Sequence, residues 1–128
     1  MSSASPQKRI VAIDDDGDML ELVRLTLNRA GYEVIGTSQP EKALGLIEEQ
    51  QPALVLLDLM MPQMDGWQVF EALQANEATK HIPVVLVTAK SSGIDRLLGL
   101  QIAHVAEYLN KPLAPGELLA TVQRLLAR

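Results

Sequence analysis

Apolar runs and amphipathic stretches alternate along the whole chain. Short runs rich in β-branched residues and leucine predict strands at residues 9–13, 33–37, 53–57, 83–88 and 106–109. Apolar residues at helical spacing predict helices at residues 17–30, from Ser38 on, at 65–75, at 92–101 and from Pro115 on. The first, third and fourth strands are continuously apolar, which is typical of parallel strands covered on both faces. Five βα units therefore predict an α/β fold with one open parallel sheet.

Polar residues at the ends of the predicted helices indicate where those helices start and stop. Asp16 is expected to cap the first helix and Gly31 to end it. Ser38 and Glu41 have the spacing of a capping box for the second helix. Residues 65–66, an Asp-Gly pair, are interpreted as turn and helix-start chemistry rather than as catalytic groups.

The composition limits the class of protein. A chain of 128 residues fits one domain, expected at residues 8–128 after a disordered lead at residues 1–7. Its net charge of −5 argues against direct contact with nucleic acid, which needs a basic surface. The absence of cysteine excludes disulfides and suits the cytoplasm. No apolar run has the length of a membrane span or the character of a secretory signal, so a cytoplasmic location is expected.

Polar side chains follow the predicted strands where a ligand would sit in an open α/β sheet. The first strand runs into residues 14–16, three aspartates, the third into Asp58, the fourth into Thr88, and the fifth leads to Lys111. Two carboxylates about 4 Å apart repel by roughly 4 kcal/mol near a protein surface, so this cluster calls for a divalent cation. All-oxygen ligands favour Mg²⁺. A metal ion, a lysine and a hydroxyl around a carboxylate suit phosphoryl transfer.

Four motifs at these strand ends carry a resemblance to a known family. In order along the chain they are VAIDDD, LVLLDLMMPQMDGW, PVVLVTAK and YLNKP. Together they resemble the receiver domain of two-component response regulators, over nearly the whole chain. The resemblance implies a doubly wound, flavodoxin-like three-layer sandwich with strand order 2-1-3-4-5. It also implies a cytoplasmic signalling domain rather than an enzyme, with only self-catalysed phosphorylation and slow autodephosphorylation.

The resemblance implies a role for each carboxylate of the site. Asp58 resembles the phosphoacceptor, which takes a phosphoryl group from a histidine of a sensor kinase or phosphotransferase. Asp14 and Asp15 resemble the acid pair that holds Mg²⁺, and Asp58 with the backbone carbonyl of Met60 would complete the protein ligands.

Further roles implied by the resemblance concern phosphoryl binding and switching. Thr88 would donate its hydroxyl to one phosphoryl oxygen and Lys111 its ammonium to another. The bond between Lys111 and Pro112 would be cis. Tyr108 corresponds to the family's switch aromatic, which follows Thr88 inward after phosphorylation. The signal would change the binding of a partner at the face formed by the predicted fourth helix, fifth strand and last helix. A second copy of the chain, forming a homodimer, is one such partner.

The predicted fourth helix departs from an ideal one. Gly99 in its interior should cost roughly 1 kcal/mol relative to alanine, so this helix is expected to rearrange on phosphorylation. His104 stands where the family commonly has glycine, which implies a different turn before the fifth strand.

Residues near Asp58 are also expected to have packing or tuning roles. Met60, Met61 and Met64 are expected to fill space beneath the site, and Trp67 to pack on the third helix. Met60 and Lys90 flank the site and are expected to influence the phosphoryl lifetime.

Two other functional hypotheses remain open on the sequence. Asp14-x-Asp16 resembles the nucleophile motif of haloacid-dehalogenase-type phosphatases, although the chain is short and this leaves Asp58 unexplained. A degenerate receiver would bind a partner without phosphorylation. The chain is either a stand-alone receiver with a natural start or part of a longer regulator or hybrid kinase; its kinase and its output are unknown.

Overall fold

The computed structural model describes residues 8–62, 65–89 and 105–127. The predicted lead at residues 1–7, the predicted helix at 92–101, and Met64, Lys90 and His104 lie outside the described residues. Within the described ranges there are five strands: β1 (Arg9–Ile13), β2 (Glu33–Thr37), β3 (Leu54–Asp58), β4 (Val84–Thr88) and β5 (Glu107–Asn110). The described helices are α1 (Gly17–Arg29), α2 (Ala43–Gln50), α3 (Gly66–Ala75) and the C-terminal helix (Pro115–Leu126).

The strands form one parallel sheet in the order β2-β1-β3-β4-β5. This confirms the predicted α/β class and the flavodoxin-like strand order. β3 and β4 are buried along their full length, as their continuous apolar sequences predicted.

Successive strand residues face two separate cores, because side chains alternate across a sheet. One core packs Val11, Val55 and Leu86 against α2 and α3. The other packs Ile10 and Leu56 against α1 and the C-terminal helix. The sheet is thus the middle of three layers, and its carboxyl edge stays open between the helices. Within the described part of the chain, no helix has the length and apolar character needed to cross a membrane.

The helix boundaries confirm one capping prediction and correct another. Asp16 caps α1 by accepting hydrogen bonds from the backbone N–H groups of Asp18 and Met19. The chain leaves α1 through Gly31, whose φ of 95° favours glycine. The predicted capping box at Ser38 is wrong. A 3₁₀ turn at Pro40–Lys42 follows Gln39 and has no side-chain cap. Just before this turn, the Thr37 hydroxyl accepts the N–H of Gln39.

Candidate functional site

The carboxyl edge of the sheet brings the predicted polar residues to neighbouring strand ends. Asp14 directly follows β1, and Asp58 is the last residue of the adjacent β3. Thr88 ends β4, and Lys111 follows β5, beside it. The parallel register therefore gathers groups that are far apart in the sequence.

A lysine and two buried carboxylates form the centre of the site. Lys111 Nζ lies 2.9 Å from Asp14 Oδ2 and 3.3 Å from Asp58 Oδ2. Asp14 is 4% exposed and Asp58 is 1% exposed. A buried carboxylate is costly unless it is paired or hydrogen-bonded, so both carboxylates depend on the single positive charge of Lys111.

Backbone N–H groups orient both carboxylates. Asp14 Oδ1 accepts a hydrogen bond from the N–H of Asp16 at 2.9 Å. Asp58 Oδ1 accepts one from the N–H of Met60 at 3.1 Å. The second oxygen of Asp58 faces Lys111, whereas Lys111 contacts both oxygens of Asp14, Oδ1 at 3.2 Å and Oδ2 at 2.9 Å.

The segment after Asp58 folds back tightly on the strand end. The Leu59 carbonyl accepts the N–H of Gly66 at 3.0 Å, and Met60 pairs with Asp65 in an isolated antiparallel bridge. A Cβ atom on Gly66 would lie 2.4 Å from the Asp58 carbonyl oxygen, so only glycine fits without a backbone shift. Asp65 caps α3 by accepting the Trp67 N–H at 2.9 Å. This agrees with the helix-start role of the Asp-Gly pair.

Gly66 was nevertheless missed as a residue of the site. Its approach to the carbonyl of Asp58 is a contact between a strand end and a helix start. The sequence offered only the glycine itself as a sign, at a place where a turn already explained it.

The environment shifts the pKa of two groups. Burial raises the pKa of Asp58 to about 6, and the charge of Asp14 adds to this, while the Met60 N–H and Lys111 oppose it. Burial lowers the pKa of Lys111, but its hydrogen bond to Asp14 and the charges of Asp14 and Asp58 outweigh this effect. The pKa of Lys111 therefore lies above its ordinary value. Lys111 is therefore a permanent cation beside an acid that titrates near neutrality.

The acidic residues of the site meet the geometric needs of a divalent cation. Carboxylate oxygens of Asp14, Asp15 and Asp58 all lie within 4.8 Å of one another. Ligands of one octahedral Mg²⁺ lie about 3 to 4.2 Å apart, so the three side chains would have to move closer together to bind one ion. Asp15 is exposed, which leaves room for the water ligands that Mg²⁺ retains.

Thr88 lies on β4 and Tyr108 on the neighbouring strand β5. Thr88 is 1% exposed, and its carbonyl accepts the N–H of Lys111 at 2.9 Å. Tyr108 is paired in register with Leu86 and is 2% exposed. The Lys111–Pro112 peptide bond is cis.

The methionines of the segment after Asp58 take different positions. Met61 is buried in the core beneath α2 and α3, in agreement with its expected packing role. Met60 is 58% exposed, so the expectation that it fills space beneath the site is wrong. Its N–H is held by Asp58 and its backbone pairs with Asp65, which leaves the side chain outside the core. Trp67 packs edge-to-face on Phe70, as a packing role requires.

Comparison with known proteins identifies sequence relatives. The response regulator receiver domain family matches residues 10–123. The alkaline phosphatase synthesis transcriptional regulatory protein PhoP of Bacillus subtilis is 36% identical over 121 residues, which cover 94% of this chain and 49% of that protein. The DNA-binding response regulator MtrA of Mycobacterium tuberculosis is 36% identical over 122 residues, covering 95% and 52%. The chain thus spans about half the length of the curated relatives it matches.

Solved structures share the same architecture. The chemotaxis response regulator CheY4 of Vibrio cholerae superimposes with a TM-score of 0.85 at 28% identity, covering 94% of this chain and 99% of that one. The BeF3-activated N-terminal receiver domain of Klebsiella pneumoniae RstA gives a TM-score of 0.83 at 28% identity, covering 94% and 100%.

Proposed function

The chain belongs to the response regulator receiver domain family, and we propose that Asp58 is its phosphoacceptor. The donor would be a phosphohistidine of a sensor kinase or histidine phosphotransferase. The observation that carries the proposal is the Asp58 carboxylate, which ends a buried strand and has one oxygen held by the Met60 N–H and the other near Lys111.

The transfer is a displacement at phosphorus. An oxygen of Asp58 attacks the phosphorus atom while the bond from phosphorus to the histidine nitrogen breaks, and the nitrogen keeps the electron pair. The product on Asp58 is an acyl phosphate. Lys111 and the Thr88 hydroxyl stabilise the oxygens of the transferred group, because fixed cationic and polar donors act strongly in a site shielded from water. Water later attacks the phosphorus atom, the bond from phosphorus to the Asp58 oxygen breaks, and inorganic phosphate leaves while the carboxylate is restored.

Asp14, Asp15, Asp58 and the Met60 carbonyl would hold Mg²⁺. The bound ion would neutralise negative charge that develops on the phosphoryl oxygens. The three carboxylates would bind the ion beside the reacting oxygen. Lys111 supplies only one positive charge for these three negative charges, so a divalent cation would supply the rest.

The signal would pass from Thr88 to Tyr108 and on to a partner. Tyr108 and Glu107 lie on β5, and Arg124 of the C-terminal helix bonds Glu107 Oε2 at 3.0 Å, which links these elements. A change at Tyr108 would alter the population of two packings of this face. MtrA is named a DNA-binding response regulator. The expected absence of nucleic-acid contact therefore concerns only the residues of this chain and not a separate output domain. A separate output domain or partner protein, or a second copy of the chain, would receive the signal.

The phosphatase hypothesis is less well supported by the contacts of Asp16. Its Oδ1 caps α1, and Asp16 is not among the carboxylates that cluster at the site in the described residues. The proposed acid/base partner of Asp14 is therefore engaged elsewhere.

Intact-mass spectrometry after incubation with acetyl phosphate tests the proposal. The wild-type chain should gain one phosphoryl group with Mg²⁺ and none with a chelator. Asp58→Asn should gain none under either condition.

Asp18→Asn is the matched control, since Asp18 is an exposed acid in the first turn of α1 outside the cluster. It should be phosphorylated like the wild type. An adduct that persists in Asp58→Asn would contradict the assignment and return attention to Asp14. A folded wild-type chain that gains no phosphoryl group would favour the degenerate receiver.

A further inference from the structure

Met60 is an exposed thioether at the rim of the acidic site. Among the described residues, Met60 and Leu25 are the large hydrophobic side chains that remain exposed, at 58% and 54%. Met61 is 7% exposed, and Met19, a residue of α1, is partly buried against the second core. The packing of the core therefore does not account for Met60, and more than half of the residue is exposed to dissolved reagents.

The backbone of Met60 is held close to Asp58. The Met60 N–H donates to Asp58 Oδ1 at 3.1 Å, and Met60 pairs with Asp65 across the returning segment. The close approach of Gly66 to the Asp58 carbonyl secures that segment. The backbone that carries the Met60 side chain is therefore anchored beside the carboxylate.

We propose that Met60 is an oxidative modification site, converted by peroxides to methionine sulfoxide before Met19 and Met61, and that this conversion shortens the lifetime of phosphorylated Asp58. The lifetime part rests on the proposed function, whereas the order of oxidation does not.

The oxidation transfers one oxygen atom from the peroxide to sulfur. The sulfur lone pair attacks the peroxide, the O–O bond breaks, and hydrogen peroxide leaves as water while the thioether becomes the sulfoxide. Methionine sulfoxide is polar, chiral and reversible by methionine sulfoxide reductases.

The new oxygen changes how water is held at the site. A thioether is a weak hydrogen-bond acceptor, so the unmodified side chain does little to order water near Asp58. A sulfoxide oxygen accepts hydrogen bonds and retains water next to the acyl phosphate that this water hydrolyses. One hydrogen bond to the attacking water corresponds to roughly a two- to ten-fold faster hydrolysis.

The experiment compares the wild type with Met60→Leu and Met60→Gln. Leucine cannot be oxidised but keeps an apolar side chain of similar size, and glutamine carries a permanent carbonyl acceptor. Each protein is treated with hydrogen peroxide, quenched with catalase and mapped by peptide mass spectrometry. It is then phosphorylated with acetyl phosphate and Mg²⁺, and loss of the adduct is followed by intact mass after removal of the donor.

The expected result is preferential oxidation of Met60 over Met19 and Met61, and hydrolysis accelerated two- to ten-fold in the oxidised wild type. Met60→Leu should not respond to peroxide, Met60→Gln should be fast without it, and a sulfoxide reductase should restore the wild-type rate. Slower oxidation of Met60 than of the other two, an unchanged lifetime, or an equal acceleration in Met60→Leu would each overturn the inference. If untreated wild type forms no adduct, the proposed function fails and the lifetime effect fails with it.

Discussion

The ammonium of Lys111 lies 2.9 Å from a carboxylate oxygen of Asp14, although the two residues are 97 positions apart in the sequence. The same ammonium reaches Asp58 at 3.3 Å. Lys111 therefore stabilises the folded chain as well as serving the proposed chemistry, and the two roles can be measured separately.

Replacing Lys111 with methionine should destabilise the metal-free protein. Two buried carboxylates would lose their cation, which should lower the free energy of unfolding by roughly 1 to 3 kcal/mol at pH 7.5. Saturating Mg²⁺ should recover part of this loss, because it supplies positive charge to the same carboxylates. Urea unfolding with and without Mg²⁺ measures both effects.

Lys80→Met is the control for this substitution. Lys80 pairs with Glu77 at 3.0 Å on the exposed surface, and such pairs contribute below about 1 kcal/mol. Equal losses in the two variants would contradict the structural role of Lys111.

The raised pKa of Asp58 should make stability depend on pH. Its pKa is about 6 in the folded protein against an ordinary value of 3.8, so the folded state binds the proton more tightly than the unfolded state. The stability from this proton is present below pH ~4 and is lost as the pH rises through about 6, by roughly 3 kcal/mol at most. Asp58→Asn should remove this loss and be more stable than the wild type at pH 7.5 in a chelating buffer.

Urea unfolding between pH 4 and 7.5 measures the difference between the two proteins. The stability difference should widen as the pH rises, whereas Asp18→Asn should track the wild type. A difference that stays constant across this range would contradict the raised pKa.

Gly66→Ala should damage both stability and phosphoryl uptake. The new methyl group would meet the Asp58 carbonyl oxygen at 2.4 Å and Leu59 Cα at 2.6 Å. Both neighbours are backbone atoms, so the strand end must shift and carry the Asp58 side chain with it. We expect a loss of about 2 kcal/mol or more and slower phosphorylation by acetyl phosphate.

Gly45→Ala provides the opposite outcome within the same fold. Gly45 lies in α2, and a Cβ there meets no atom within 4 Å. Alanine should stabilise the protein by about 0.5 to 1 kcal/mol and leave phosphorylation unchanged. Equal changes in stability and in phosphorylation in the two glycine variants would contradict a role for the tight contact at Gly66.

Asp16 should prove to be a helix cap without a chemical role. Asp16→Ala should lower the free energy of unfolding by about 1 kcal/mol, because the N–H groups of Asp18 and Met19 lose their acceptor. Asp16→Ser should restore most of it, since serine also caps helices. Both variants should accept one phosphoryl group per chain, and a loss of uptake in Asp16→Ala that serine does not rescue would support the phosphatase hypothesis.

The sequence predicted the strands and their polar ends because the information is local. A run such as residues 54–58 is apolar up to the carboxylate, and parallel strands bring such ends to one edge. Helix boundaries that depend on one side chain, such as Asp16, were also accessible.

The sequence did not predict features that depend on neighbours across the fold. Met60 and Met61 are identical and adjacent, yet one is exposed and the other buried, because the returning segment fixes the direction of each. Ser38 had the spacing of a cap, but Thr37 made the local hydrogen bond instead. The close approach of Gly66 to Asp58 was invisible because no local pattern encodes a distance between two backbones.

The wide sequence separation of Asp14, Asp58 and Lys111 makes the site sensitive to the state of the whole chain. During synthesis, Asp58 leaves the ribosome long before Lys111, and the carboxyl edge is complete only when β5 has joined the sheet. A nascent, truncated or partly unfolded chain would therefore carry Asp58, the proposed acceptor, without a site able to use it. Phosphoryl uptake would then depend on correct folding. A misfolded copy would not be phosphorylated and would not activate a partner.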